Sequence, residues 1–235
     1  MLTGTSPEPL RAFWGLYHME LSWLGHSCFR LRGKDATVVT DPAAPSTGYS
    51  IGRLNADIVT ISHHHPGHDY VRAVSGEPKV IEGPGEYEVH QVLISGVQTY
   101  HDAERGKRLG RNTAYMIHMD DIQICHLGDL GDVLDDRAQE ALNGADVLLV
   151  PVGGGNALNA EQAVEVINQI EPRLIVPMHY ATPAYKPDGS PLDPVEKFCR
   201  EMGVELTEPL PKVVITKSTL PTEPQVMLLT YRDRS

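Results

Sequence analysis

Ala56-Asp57-Ile58-Val59-Thr60-Ile61-Ser62 runs directly into His63-His64-His65-Pro66-Gly67-His68-Asp69. The first stretch is apolar and β-branched and is ended by Pro and Gly, which predicts a buried strand entering a tight loop. Four imidazoles therefore leave one strand end together. Protonated rings repel one another and buried neutral rings each need a partner, so this crowding opposes folding unless something holds it. A divalent metal is such a partner, because neutral imidazole is the commonest side-chain ligand for one. His63 and His65, one residue apart at a strand end, can both turn toward a single ion, and His64 between them is expected to point away. A solvated or tag-like histidine tract is the plain alternative, disfavoured because this one is internal and follows a strand.

The 235 residues suffice for one large domain or two small ones with a substantial core. No linker, repeat array or low-complexity tract divides them, so a single domain over 19–235 is expected, preceded by an N-terminal extension of residues 1–18. With 41% hydrophobic and 22% charged residues the composition is that of an ordinary soluble globular protein. No apolar run approaches the ~20 residues of a membrane span. The first 18 residues lack a basic start and a continuous apolar stretch, so they make a poor signal peptide and a cytoplasmic location is expected. A formal net charge of −11 argues against nucleic acid or an anionic membrane as partner. It does not exclude a small anionic substrate, since bound metal ions can dominate the field inside a cleft. Cys28, Cys125 and Cys199 are isolated in sequence and read as reduced, buried apolar residues. Any metal here should consequently have nitrogen and oxygen ligands.

From Met19 the pattern is β-rich, with short strands at 20–24, 28–31 and 37–40 forming a meander. The third ends in Asp41-Pro42, whose carboxylate either caps a loop, the first expectation, or orients a histidine. Further strands are expected at 79–81, 87–89 and 92–100, the last stopping at His101-Asp102, and the loop 103–111 is a candidate for the mouth of a substrate site. A hairpin over 113–119 and 122–125 delivers His126-Leu127-Gly128-Asp129. Helices are then expected at 133–143, 160–170 (capped by Asn159) and 192–202. Buried strands at 145–152 and 174–177 separate them, the second ending in Met178-His179-Tyr180, and strands at 213–216 and 225–230 close the chain. Gly153-Gly154-Gly155 reads as a flexible strand-to-helix turn before it reads as an anion cradle.

Several apolar strands thus end in a metal-capable side chain: Ile61 before His63, Tyr100 before His101, Cys125 before Asp129, and Val176 before His179. Ligands gathered at one sheet edge are what a binding crevice in an α/β fold needs. At these residues the chain resembles the metallo-β-lactamase superfamily, and in particular its ascorbate-phosphate-lactonase-like branch. His63, His65, His68, His101, Asp129 (in Leu127-Gly128-Asp129) and His179 match the superfamily's metal motif in order. Leu24-Gly25-His26-Ser27-Cys28-Phe29, Thr40-Asp41-Pro42 and Gly83-Pro84-Gly85-Glu86-Tyr87 resemble the branch.

The resemblance implies an α/β fold, a four-layer αββα sandwich with a metal site at one sheet edge. It implies a first ion on His63, His65 and His101, and a second on His68 and His179, with Asp129 bridging. One or two divalent ions are expected; zinc suits these donors first, and manganese, iron or nickel also fit. The motif's usual Asp falls at Gly67, which has no side chain, so a second site is expected to be weakened. The implied activity is metal-dependent hydrolysis of an ester, lactone or phosphoester of a small molecule by metal-activated water. Asp129 would orient the nucleophile, and His179, His26 or Tyr180 would serve the leaving group. His126 and Glu86 are candidate supporting residues, each equally readable as structural. A metal-binding but noncatalytic or regulatory module, with Gly67 as its argument, is the alternative; redox chemistry at iron is a more distant one.

Overall fold

The computed structural model describes residues 18–187 and 191–231. Of the expected N-terminal extension only His18 is among them. The chain starts with the meander β1 (Met19–Gly25), β2 (Cys28–Arg32) and β3 (Thr37–Thr40). Side chains alternate across it as the pleat requires. Leu21, Trp23, Phe29, Leu31 and Val38 enter one buried cluster, and Leu24, Cys28 and Val39 enter another. Next come β4 (Leu54–Asn55), β5 (Ile58–Ile61), β6 (Val74–Ser75) and β7 (Lys79–Glu82). The antiparallel run β8 (Gly85–Val89), β9 (Val92–Tyr100), β10 (Arg111–Met119) and β11 (Ile122–His126) follows.

The remainder alternates helix and strand: α1 (Asp136–Leu142), β12 (Val147–Pro151), α2 (Ala160–Ile170), β13 (Leu174–Met178), α3 (Val195–Glu201), β14 (Val213–Ile215) and β15 (Gln225–Val226). β12 and β13 are buried along their whole length, as parallel strands covered on both faces must be. α2 forms where its apolar spacing predicts, and its start is fixed by a capping box between Asn159 and Gln162. α1 begins later than its apolar pattern suggests, because Asp135 accepts the Ala138 N–H and ends the preceding loop. α3 begins at Val195 instead of 192, with Pro194 at the N-cap. The expected closing strand 225–230 is ladder-paired only at Gln225–Val226, and beyond it only a Leu210–Leu229 bridge forms.

Two mixed sheets result, ordered β14-β1-β2-β3-β5-β7 and β15-β13-β12-β11-β10-β9-β8, with a small β4-β6 pair beside them. α1 packs on β9, α2 on β12 and α3 on α2, so the helical layer of the expected αββα sandwich covers the second sheet. Among the described residues the outer face of the first sheet is covered instead by loop segments, a single-turn 3₁₀ helix at Val71–Ala73 and the β4-β6 pair. Ile51, Leu54, Ala56 and Val74 there pack on Leu24, Cys28, Val39, Val59 and Ile61. The three cysteines are free and buried, as read from the sequence. Among the described residues no helix is long and apolar enough to cross a membrane.

Strand direction decides where the histidines go. β9 and β11 are both antiparallel to β10, so they point the same way, and β12 and β13 run parallel to β11. In the first sheet β1 and β3 are both antiparallel to β2, and β5 is parallel to β3. The C-terminal ends of β9, β11 and β13 therefore share one edge, and those of β1, β3 and β5 share another. Tyr115 on β10 bonds across to the Ile61 carbonyl at 2.8 Å, locking the two sheets together at the last residue of β5.

Candidate metal centre

The two edges meet in a cluster of imidazoles. The His63 ring lies 4.3 Å from that of His68, 4.7 Å from that of His101 and 6.0 Å from that of His65, centroid to centroid. Three overlapping groups have donor atoms within 4.8 Å of one another: His63, His65 and His68; His63, His101 and Asp129; and His26, His68 and His179. Asp129 is common ground. Its Oδ2 stands 3.1 Å from His68 Nε2, 3.3 Å from His179 Nε2 and 3.7 Å from His101 Nε2. All six metal candidates read from the sequence are thus brought together, and His26 joins them.

Several side chains fix this arrangement. Asp41, at the end of β3 with φ +38°, both caps and orients: Oδ1 accepts the Ser62 N–H, and Oδ2 accepts the Ser62 hydroxyl at 2.6 Å and faces His68 Nδ1 at 2.8 Å. That contact fixes which nitrogen of His68 faces the cluster, the usual task of a carboxylate behind a ligating imidazole. Asn112 accepts the Asp129 N–H and donates to the Leu127 carbonyl, holding the turn that carries Asp129. Gly128 in that turn has φ +58°, and a Cβ there would strike Asn112 and Ser62 at 2.5 Å, so only glycine fits. Ser27 donates to Asp129 Oδ1 at 3.3 Å. At Gly153 a Cβ would come within 2.3 Å of the His179 carbonyl, and its N–H bonds to that carbonyl. Gly153, the first of the three glycines, is therefore a close-packed support for His179.

The electrostatics divide the rings. Burial disfavours the charged form of His68, but Asp129 and Asp41 outweigh it and push its pKa up to about 10. Burial and the charge on His68 bring His63 down to about 3. Burial, followed by His179 and His68, holds His26 well below the usual imidazole range, and burial lowers His101. Burial would raise Asp129, yet His179 and His68 keep it well below the usual carboxylate range. Among the described residues the buried nitrogens His63 Nε2 and His68 Nε2 make no aligned hydrogen bond. Orphaned nitrogens around a buried carboxylate cost free energy as they stand, and a divalent cation would engage all of them. The donor set fits a metal.

The remaining expectations divide. Tyr180 turns into the core, its ring 5.0 Å from that of Trp23, and serves no leaving group. Glu86 is exposed on β8, where it accepts the Ser95 hydroxyl, and does not support the centre. His126 is buried against Phe29 with Nε2 at 2.8 Å from the Ser27 carbonyl, a structural position. His64 points away as expected, its side chain 75% exposed beside Asp69 and Glu82. A cavity of about 240 Å³ opens over the centre, rimmed by Leu109, Asn156, Tyr185 and Leu192. Leu109 comes from the loop named as a mouth, which Asp102 organises by accepting the N–H groups of Glu104, Gly106, Arg108 and Leu109. Sequence reasoning missed Ser27, Ser62, Asn112 and Tyr185. Only their closeness in sequence to named candidates, Ser27 beside His26 and Ser62 beside His63, offered a signal.

Comparison with known proteins agrees with this geometry. Residues 20–179 match the family model of the β-lactamase superfamily domain. The chain belongs to the β-lactamase superfamily. Among superfamily members, a UPF0173 metal-dependent hydrolase of Methanoculleus marisnigri is 30% identical over 189 residues, covering 70% of this chain and 82% of that one. One from Pyrococcus horikoshii is 26% identical over 193 residues, 70% of this chain and 85% of its own. The crystal structure of a protein from Thermotoga maritima, described as a Zn-dependent hydrolase of the metallo-β-lactamase superfamily, superposes with a TM-score of 0.73 at 36% identity. The match covers 90% of this chain and 98% of that one. None of these relatives is named an ascorbate-phosphate lactonase. This superfamily member is a metal-dependent hydrolase.

Proposed function

We propose that the protein hydrolyses a small ester, lactone or phosphoester in the cavity above the histidine cluster. His63, His65 and His101 would hold one divalent cation and His68 and His179 would hold a second, with the Asp129 carboxylate available to both. The reading rests on Asp129 Oδ2, a buried carboxylate oxygen within 3.7 Å of three imidazoles on three separate loops. Imidazole and carboxylate donors suit zinc and equally admit manganese, iron or nickel. When bound, the cation supplies Lewis acidity, making water nucleophilic near neutral pH and stabilising charge on the substrate oxygen. Asp129, held ionised by its neighbours, accepts a hydrogen bond from the attacking water and sets its direction. His179 and His26 both line the cavity, and His179 is the ring assigned here to the leaving oxygen. A cavity of about 240 Å³ lies below the roughly 300–1,000 Å³ of drug-sized ligand sites, which favours a compact substrate. Arg105, Lys107 and Arg108 are exposed on the mouth loop and would attract an anionic one.

The test is a panel of small esters, lactones and phosphodiesters assayed before and after chelation. Turnover of at least one class, lost on chelation and restored by adding back zinc or manganese, is the expected result. An ion bound at the centre with no turnover across the whole panel would contradict hydrolysis and leave the binding module.

A further inference from the structure

His26 sits where β1 turns into β2, and its backbone is unusually constrained. Gly25 and His26 both have positive φ, +106° and +55°. The His26 carbonyl accepts the Trp23 indole N–H at 2.9 Å and the His179 N–H at 3.2 Å. A non-glycine residue in the left-handed region is uncommon, and here both bonds hold the backbone that carries the ring. The ring is 4% exposed and stands nearly perpendicular to two others, 4.9 Å from His68 at 87° and 4.5 Å from His179 at 90°. One donor nitrogen of each of the three lies within 4.8 Å of the others. Three buried imidazoles converge in this way beside Asp129, and His68 Nε2, 3.1 Å from Asp129 Oδ2, makes no aligned hydrogen bond, so the cluster offers a cage of nitrogen donors.

Position 67 explains the cage. A Cβ at Gly67 would lie 3.2 Å from His26 Cε1, 3.3 Å from His26 Nε2 and 3.2 Å from His65 Nδ1. The imidazole of His26 therefore fills the space into which a side chain at 67 would project. We propose that His26 is a ligand of the second cation, completing a three-imidazole cage with His68 and His179 in place of a carboxylate from residue 67. The inference rests on the two-ion reading above, and it replaces a weakened second site by one rebuilt from another strand. His26 then has no part in leaving-group chemistry.

Metal-stripped full-length protein titrated with Co²⁺, followed by its visible absorption and by metal counted after gel filtration, tests this. Wild type is expected to bind two ions per chain and His26→Ala one, with the second affinity weakened by more than the roughly 10–100-fold that losing an outer partner costs. His63→Ala should lose the other ion. In the His26→Ala background, adding Gly67→Asp should restore the second ion, because the ring that crowded position 67 is gone. This rescue separates lost ligation from misfolding. Two ions bound by His26→Ala at wild-type affinity would overturn the assignment of His26 and leave the metal centre standing. Wild type binding one ion that His26→Ala retains would do the same. No ion bound by wild type would overturn the centre itself.

Discussion

Replacing Asp129 by Ala is expected to lower kcat/KM by about 10³-fold or more on any substrate the centre turns over. The magnitude follows from how many tasks converge on one oxygen. Asp129 Oδ2 faces His68, His179 and His101, and its other oxygen accepts from Ser27. Without it, any cation held by these rings would lose the one carboxylate that faces three of them, and the attacking water would lose the acceptor that aims it. Asp129→Asn keeps the shape but not the charge, so it should resemble Ala in turnover while retaining more stability. Steady-state kinetics on the metal-loaded variants, with metal content measured on the same samples, check this. A loss of less than about tenfold with full metal occupancy would mean that Asp129 neither bridges nor orients.

His68→Ala is expected to destabilise the metal-stripped protein by about 3–5 kcal/mol, the cost typical of breaking a buried ion pair by removing one partner. His68 is wholly buried between two buried carboxylates, 2.8 Å from Asp41 Oδ2 and 3.1 Å from Asp129 Oδ2. Its removal leaves both without their cation. The pH dependence has a definite sign. The folded pKa of His68, about 10, is raised above an unfolded value of ~6.5, so its contribution is fully present below ~6.5 and lost as pH rises through about 10. Urea unfolding of wild type and variant should therefore show the largest gap near pH 6 and a gap that narrows toward pH 10. A gap that stays constant or widens over that range would contradict the charged His68. Metal loading should abolish the pH trend, because the ligand form of His68 is neutral.

Much of this cluster was legible in the sequence because its candidate ligands follow apolar strands, and an apolar β-branched run declares its own end. Ile58–Ile61 before His63 and Leu174–Met178 before His179 are of this kind. α2 was legible to the residue, because Asn159 and the spacing of Ala163, Val166, Ile167 and Ile170 agree about where it starts and which face it buries. The outer layer of the first sheet was not, since two-residue strands and single 3₁₀ turns carry too few residues to establish a period. Asp41 was read first as a cap, and its hold on His68 across 27 positions depends on β3 and β5 lying side by side. Tyr180 follows His179 directly, yet successive residues at a strand end face opposite ways, so the neighbour of a candidate ligand went to the core. His26 was read from the sequence as a leaving-group candidate, not as a ligand. That its ring fills the space beside Gly67 depends on sheet geometry that no spacing encodes.

Anomalous diffraction from crystals of the full chain grown with zinc, collected at the zinc edge, tests the central claim most directly. A peak about 2.0–2.1 Å from ring nitrogens of His63, His65 and His101, and a second at that distance from His68 and His179 with Asp129 between the two, is the predicted result. Zinc found only on exposed rings such as His64, with no peak inside the cluster, would contradict it.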